Sequence, residues 1–125
     1  MTIVVPLVPP SPNELRRRYR NPHAYKRLRT AWERSLMFAV ESAAAHQALV
    51  KQAEEARMRV GITISLPKVY DADNAVGAIK PVLDALRKVR YIHDDSETWL
   101  ELLPVRQERS AAGAPATTIE LEPAA

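Results

Sequence analysis

The sequence contains no cysteine and only three glycines among its 125 residues. Without cysteine the chain can form neither disulfide bonds nor a cysteine-based zinc site, and no feature calls for an oxidising compartment. The glycines, at positions 61, 77 and 113, are too far apart for a phosphate-binding loop or a dinucleotide-binding fingerprint. These absences exclude disulfide-stabilised proteins, cysteine-ligated zinc proteins and the common nucleotide-binding folds that depend on a glycine motif.

Long hydrophobic runs are also missing from the sequence. Residues 1–10 are apolar, but they lack a basic leader and are interrupted by prolines, so they predict neither a signal peptide nor a membrane span. We therefore expect a cytoplasmic protein with no membrane partner. The length fits one domain of ordinary size with a hydrophobic core of its own.

Charge is distributed unevenly along the chain. Residues 1–34 carry eight Lys and Arg against two acids, whereas residues 71–125 carry six against ten. A basic front end attracts a polyanion such as DNA, and acids within the same field suggest a site for divalent cations. A soluble protein with two solvated faces is the alternative interpretation of this distribution.

The spacing of apolar residues predicts three elements in the first half of the chain. Residues 2–8 form a β-branched run that ends at prolines, and residues 58–66 alternate strictly, so both are predicted strands. Residues 30–57 contain no proline or glycine and repeat apolar positions every three or four residues. This pattern predicts one long amphipathic helix.

The second half predicts a shorter helix and two more strands. The helix ends near Arg90, has Asp73 or Asn74 as its N-cap, and is either kinked at Pro81 or begins near Lys80. Residues 100–102 and 117–122 alternate around a loop at 110–116, which predicts a hairpin. The β-α-β-α-β-β order predicts a single α+β (mixed α/β) domain, with one mixed sheet packed by the long helix and the shorter site helix.

Three carboxylates are candidates for metal binding. Asp71 and Asp73 leave the 58–66 strand on the same side, at the carboxyl end of the sheet, where sites usually form. Asp95 follows 22 residues after Asp73, enough for a helix to return the chain to that end. Oxygen ligands of this kind suit Mg²⁺ or Mn²⁺. The alternative interpretation is that acids at a helix start are simple caps.

Several spaced features of the sequence belong together. They are the opening strand into Pro9-Pro10-Ser11-Pro12-Asn13, the run Asp71-Ala72-Asp73-Asn74, then Lys80, Asp84-Ala85-Leu86 and Asp94-Asp95. This set resembles the RusA-type Holliday junction resolvases, which are compact endonucleases found in phages and prophages. The resemblance spans nearly the whole chain.

The resemblance implies a homodimeric, Mg²⁺-dependent endodeoxyribonuclease that nicks two strands of a four-way DNA junction symmetrically in recombination and repair. It implies that Asp71, Asp73 and Asp95 hold the metal and that Lys80 is the catalytic lysine. Asp95 is preferred to Asp94 because the second acid of the pair matches the family's ligand. One spacing departs from the family pattern, since Lys80 comes six residues after Asn74, later than in the family.

Lys80 also has a chemical case of its own. An ammonium beside the scissile phosphate can stabilise charge in the transition state or protonate the leaving oxygen. The alternative interpretation is an ion pair with Asp84, four residues later, on an exposed helix face.

A basic segment with interspersed aromatic residues spans residues 16–34. The residues expected to contact DNA phosphates are Arg16, Arg17, Arg18, Arg20, Lys26, Arg27 and Arg29. Tyr19 and Tyr25 lie among these cations and suit aromatic packing, whereas Trp32 is expected in the core.

Two competing hypotheses differ in function from the nuclease. A branched-DNA binding protein that has lost catalysis is suggested by the later position of Lys80 and by Pro81 in the site helix. A structural module, in which the acids serve only as caps, would show no salt-dependent affinity for DNA. Metal-dependent cleavage of a labelled four-way junction separates the enzyme from the inactive binder.

Overall fold

The computed structural model describes residues 1–110 and 114–124, which form helices over one mixed β-sheet. The predicted α+β class is therefore confirmed. The strands are β1 (Thr2–Val5), β2 (Met58–Leu66), β3 (Leu100–Leu102), β4 (Arg106–Arg109) and β5 (Ala116–Pro123). The helices are α1 (Pro12–Arg18), α2 (Pro22–Ala39), α3 (Ala43–Glu55), α4 (Ala72–Ala78) and α5 (Lys80–Lys88).

Strand β2 is the centre of the sheet. β5 pairs antiparallel with one edge of β2, and β1 pairs antiparallel with β5, so β1 is an outer strand. β3 and β4 both run parallel to the other edge of β2. The three steps from Val60 to Thr63 are matched by four steps from Leu102 to Arg106, so one extra residue bulges between β3 and β4.

The core lies between the sheet and the helices. Every second residue of β2, beginning with Met58, is buried, because one face of this central strand packs on the helical layer. Trp32 and Leu36 of α2 and Leu86 of α5 are fully buried in the same cluster, which confirms the predicted core position of Trp32. Among the helices of the described residues, none combines the length and the apolar character needed to cross a membrane.

The predicted long helix at residues 30–57 is wrong, because this segment contains parts of two helices. α2 ends at Ala39 and α3 begins at Ala43, with Val40 extended between them (φ −90°, ψ 105°). Ser42 starts α3, since its side-chain oxygen accepts a hydrogen bond from the Ala45 N–H at 3.1 Å. The apolar spacing continues across the break, so periodicity alone does not reveal it.

The N-terminal segment also differs from its prediction. β1 ends at Val5 rather than at residue 8, and Pro12–Arg18, where no helix was predicted, form α1. Ser11 caps α1 by accepting a hydrogen bond from the Glu14 N–H at 3.2 Å, and Pro12 lies in the first turn. The basic run that follows is therefore held on a helix.

The predicted hairpin is wrong as well. In the described sheet, β3 and β5 lie on opposite edges of β2. β4 is not predicted by apolar alternation, because its sequence is Arg-Gln-Glu-Arg. The predicted loop at 110–116 falls partly outside the described residues, which do not include 111–113.

The segment after β2 forms two short helices instead of one. α4 and α5 meet at Ile79, and α5 begins at Lys80 with Pro81 in its first turn. Proline is tolerated there because the N–H groups of a first turn have no partner within the helix. Of the two alternatives for Pro81, the structure supports the helix that begins at Lys80.

Candidate functional site

Asp71 and Asp73 lie at the start of α4. Asp71 is the N-cap residue (φ −59°, ψ 150°), and its side chain makes no capping hydrogen bond. Asp73 lies in the first turn, where negative charge interacts favourably with the helix N-terminus. The predicted cap at Asp73 or Asn74 is therefore wrong. Both carboxylates are exposed, and that of Asp71 is not used to close the helix end.

Hydrogen bonds hold Tyr70, the residue that precedes Asp71, in place. Its N–H donates to Gln107 Oε1 at 2.7 Å, and its carbonyl accepts a hydrogen bond from Gln107 Nε2 at 2.8 Å. Its hydroxyl donates to the Pro9 carbonyl at 3.0 Å, and burial raises the pKa of Tyr70, so the hydroxyl remains a donor. Sequence reasoning missed Gln107, because a polar residue on a short strand gives no local signal of a distant partner.

Helix α1 packs against α4. Gly77 permits this approach, since a Cβ at this position would lie 2.9 Å from Pro12 Cγ. The last turn of α1 carries Arg16, Arg17 and Arg18, all exposed. The packing therefore sets a basic helix beside the helix that begins with the two acids.

Lys80 is part of a network of polar side chains that joins α5 to α2. Its Nζ lies 5.6 Å from the centre of the Tyr25 ring, within cation–π range. The Tyr25 hydroxyl donates to Asp84 Oδ2, and burial together with this bond raises the pKa of Tyr25. Arg87 Nη2 lies 3.8 Å from Asp84 Oδ1, and Arg87 Nη1 lies 3.9 Å from Asp94 Oδ1. Among the described residues no ion pair joins Lys80 to Asp84, which faces Tyr25 and Arg87 instead.

Asp94 and Asp95 lie close to the amino end of β2. Leu100, the first residue of β3, pairs with Met58, whose N–H donates to the Trp99 carbonyl at 2.9 Å. The chain after Asp95 therefore joins the sheet beside the first residue of β2. Hydrogen bonding from the Asp95 backbone lowers the pKa of Asp94, with a smaller contribution of the same sign from the Arg87 charge.

The two groups of acids lie toward opposite ends of β2 in a protomer. Tyr70 is held by Gln107, which pairs with Ile64, whereas the segment containing Asp95 leads to the partner of Met58. Met58 and Ile64 are about 20 Å apart along β2 at ~3.3 Å per residue. In the part of the chain that the structure describes, no three His, Asp or Glu side chains are grouped so that they could hold a metal ion.

The expected meeting of Asp95 with Asp71 and Asp73 is accordingly not found within one protomer. The physical reason is the direction of the strands. β2 and β3 are parallel, so α4 and α5 must carry the chain back to the amino end of β2 before β3 can begin. The 21 residues between Asp73 and Asp95 complete this crossover rather than a return to the carboxyl end.

The residues predicted to contact DNA are distributed over α1, α2 and the turn between them. Arg16, Arg17, Arg18, Arg20, Lys26 and Arg27 are exposed, whereas Arg29 is partly buried and pairs with Glu33 at 3.2 Å. A pocket of about 500 Å³ is lined by Leu15, Arg16, Tyr19, Arg20, Tyr25 and Lys80. Lys80 therefore shares one concave surface with part of the basic segment.

The chain matches no model of a known protein family, and no curated protein matches it significantly. Its function is therefore inferred from the chemistry of the site. Asp71 and Asp73 offer oxygen atoms to a hard cation, while the exposed arginines of α1 and Lys80 offer contacts to phosphate. This combination suits a protein that acts on nucleic-acid phosphodiesters.

Proposed function

We propose that the protein is a metal-dependent endonuclease of the RusA type, which resolves four-way DNA junctions by paired nicks in cytoplasmic recombination and repair. The observation that carries this proposal is the packing of α1, which ends in three exposed arginines, against α4, which begins at the exposed Asp71 and Asp73. Arginines attract the phosphate backbone, whereas unscreened carboxylates repel it. A cation between the carboxylates and the DNA reconciles the two.

Asp71 and Asp73 fit part of a site for Mg²⁺ or Mn²⁺. One or two carboxylates with several waters are a usual ligand set for Mg²⁺, which also accepts phosphate oxygens. Because Asp95 of the same protomer lies near the other end of β2, we propose that the third carboxylate is Asp95 of the partner subunit in a homodimer. When bound, the cation would lower the pKa of an attacking water and neutralise charge on the phosphate.

Lys80 is proposed to contact the scissile phosphate. Its side chain is exposed, lies against Tyr25 and lines the same pocket as two arginines. Since Asp84 is engaged by Tyr25 and Arg87, the positive charge of Lys80 is available to a phosphate oxygen, where it would stabilise charge that develops during cleavage.

Asp73→Asn tests the proposed metal site, because it removes a charged ligand while keeping the side-chain shape. With Mg²⁺ and a labelled four-way junction, we expect nicking to be lost and junction binding to remain detectable in a mobility-shift assay. Glu108→Gln, which neutralises an exposed acid on β4, is the matched control and should cut normally. An Asp73→Asn protein that cuts at the normal rate would show that the site is assigned wrongly.

Mixing two inactive variants tests the shared site. If the third carboxylate comes from the partner, a mixed dimer of Asp73→Asn and Asp95→Asn contains one site with all its acids and one site lacking two. We expect single-strand nicking to return in the mixture after subunit exchange. Continued inactivity, with mixed dimers demonstrated by mass spectrometry, would mean that each chain supplies all the acids of its own site.

A branched-DNA binding protein without catalysis is the second candidate. The separation of Asp95 from the other two acids within a protomer favours it. Wild-type protein that shifts a junction in a salt-dependent way, but never nicks it in Mg²⁺ or Mn²⁺, would identify this function.

A further inference from the structure

The pocket between α1, α2 and α5 has a composition that phosphate contacts alone do not require. Its lining residues are Leu15, Arg16, Tyr19, Arg20, Tyr25 and Lys80. Two aromatic rings and one aliphatic side chain provide apolar surface, three cations provide positive charge, and no acid is among the lining residues. A ligand with a flat apolar ring and a neighbouring negative charge matches this composition.

Tyr25 forms a fixed wall of the pocket. Its hydroxyl is held by Asp84, and its ring lies 5.6 Å from the Lys80 ammonium. The start of α2 is held as well, because Asn21 Oδ1 accepts a hydrogen bond from the His23 N–H at 2.8 Å. A wall held in place before binding reduces the entropy that a ligand must overcome.

We propose that this pocket binds a single unpaired nucleotide beside the branch point, with its base against Tyr19 and Tyr25 and its flanking phosphates on the cations. The inference rests on the proposed function, because it names the part of the DNA that the same surface takes. The pocket is an open depression of about 500 Å³, which lies within the volume range of small-molecule sites. Every base has an aromatic face, so stacking on tyrosine does not require one sequence.

The position of Lys80 gives the pocket a role in placing the substrate. A base that enters the pocket leaves its phosphate near the Lys80 ammonium, which lines the same pocket. Unpaired bases enter such pockets at least cost, because no base pair has to be broken. The pocket would therefore favour branched DNA that has unpaired bases at its branch point over continuous duplex.

The test compares labelled decathymidylate with an abasic backbone of the same length and charge, without metal. We expect wild-type protein to bind decathymidylate at least about five-fold more tightly, the lower range of stacking on one aromatic residue. Tyr19→Ala should reduce the difference between the two affinities, because only Tyr25 remains to contact the base, whereas Tyr19→Phe, which keeps the ring, should preserve it. Arg16→Ala should weaken both ligands by the same factor, because it removes a phosphate contact only.

Equal wild-type affinity for the two oligonucleotides would overturn the inference, as would a difference that Tyr19→Ala leaves unchanged in a folded variant. Circular dichroism confirms that the variant is folded. If the protein nicks a junction in a metal-dependent way but does not prefer decathymidylate, the nucleotide pocket is assigned wrongly and the proposed nuclease activity is supported. If it prefers decathymidylate but does not nick, the nucleotide pocket is supported and the nuclease activity is refuted.

A second surface is independent of the pocket and lies beside the outer strand β1. We call it the Phe38 surface; it is an open depression of about 930 Å³ lined by Val4, Pro6, Arg34, Ser35, Phe38, Ala39 and Glu41. Phe38 is 91% exposed and Val4 is 58% exposed. An aromatic side chain left in water beside an unpaired strand edge is a liability that proteins usually cover.

We also infer that a second copy of this chain covers the Phe38 surface. Arg34 and Glu41 carry opposite charges on either side of Phe38 in the sequence and line the same depression. A two-fold axis beside Phe38 would set Arg34 of each copy against Glu41 of the other, which is the self-complementarity that a symmetric dimer requires. A standard interface buries about 800 Å² per partner, roughly a tenth of the protomer surface of 7673 Å².

Sedimentation at high micromolar concentration tests this dimer. Wild-type protein should sediment at twice its 14.0 kDa mass. Phe38→Glu should give a monomer, whereas Met37→Glu, the neighbouring exposed residue outside the depression, should remain dimeric. Arg34→Glu should also give a monomer, and adding Glu41→Arg should restore the dimer. A monomeric wild type, or a dimer that survives Phe38→Glu, would overturn the inference.

Discussion

Replacing Gly77 with alanine tests whether the close packing of α1 on α4 builds the candidate site. The added Cβ would lie 2.9 Å from Pro12 Cγ and 3.7 Å from Pro12 Cβ. Carbon atoms that touch are normally about 3.5–4.0 Å apart, so the two helices must separate by roughly 0.6 Å or more. A proline ring cannot rotate out of the way, which means that α1 itself must move.

Two effects of opposite sign determine the stability of Gly77→Ala. Alanine favours a helix interior over glycine by about 1 kcal/mol, whereas overpacking costs about 1–3 kcal/mol. α1 buries none of its residues completely, so it can shift at limited cost. We therefore expect the free energy of unfolding to fall by about 0–2 kcal/mol. Moving the three arginines of α1 should lower the salt dependence of junction binding by about 0.9 in slope for each phosphate that they no longer reach.

Urea unfolding and salt-dependent junction binding measure these two effects, with Gly61→Ala as the control. A Cβ at Gly61 would meet Glu120 Oε2 and Leu103 Cδ1 at 3.6 Å, which is ordinary van der Waals distance. Removing a glycine from a strand interior stabilises by roughly 0.5–1 kcal/mol, so this variant should gain stability and keep the wild-type salt slope. A Gly77→Ala protein that gains about 1 kcal/mol and binds junctions with an unchanged slope would refute the reasoning.

The remaining predictions concern protonation, the core and the approach to the acids. Burial raises the pKa of Tyr25, Tyr70 and Tyr91. Unfolded tyrosines ionise near pH 10, so stability should be full below about pH 10 and fall as the pH rises above it, with less tyrosinate absorbance in folded than in unfolded protein. Trp32→Ala should lower the free energy of unfolding by about 3–5 kcal/mol in urea, and a decrease below ~1 kcal/mol would contradict its core position. Gln107→Leu should cost about 1–3 kcal/mol by leaving the Tyr70 backbone groups unpaired, and should slow junction cleavage; unchanged cleavage would mean that Asp71 is held by other residues.

Strand β2 and the core could be predicted because a single physical cause produces their patterns. Each buried position of β2 faces the helical layer, so its alternation appears in the sequence without knowledge of any partner strand. The break between α2 and α3 obeys a different rule. Val40 is 8% exposed although it lies outside both helices, so the apolar spacing continues where the helix does not. The Ser42 cap was the available signal for this break.

Sheet order depends on pairing between segments that are distant in the chain. Alternation in residues 100–102 and 117–122 predicts two strands correctly but does not identify their partners. β5 pairs with β2 along eight residues, from Pro123 beside Met58 to Ala116 beside Ser65. This ladder is longer than any that β5 could form with β3, which has only three residues. A hairpin of consecutive strands was the simplest arrangement, and the longer antiparallel ladder replaces it.

The candidate site shows the same dependence on strand direction. The position of Asp71 and Asp73 after β2 was predicted correctly, but the strand geometry that put their side chains on one side does not apply, because they are the N-cap and a first-turn residue of α4. The placement of Asp95 could not be predicted without knowing the direction of β3. An antiparallel β3 would begin at the carboxyl end of β2, beside the other acids, whereas the parallel pairing of Leu100 with Met58 begins it at the amino end. With parallel strands, a centre of three carboxylates needs a second protomer, so dimer formation and metal binding should be lost together when the interface is broken.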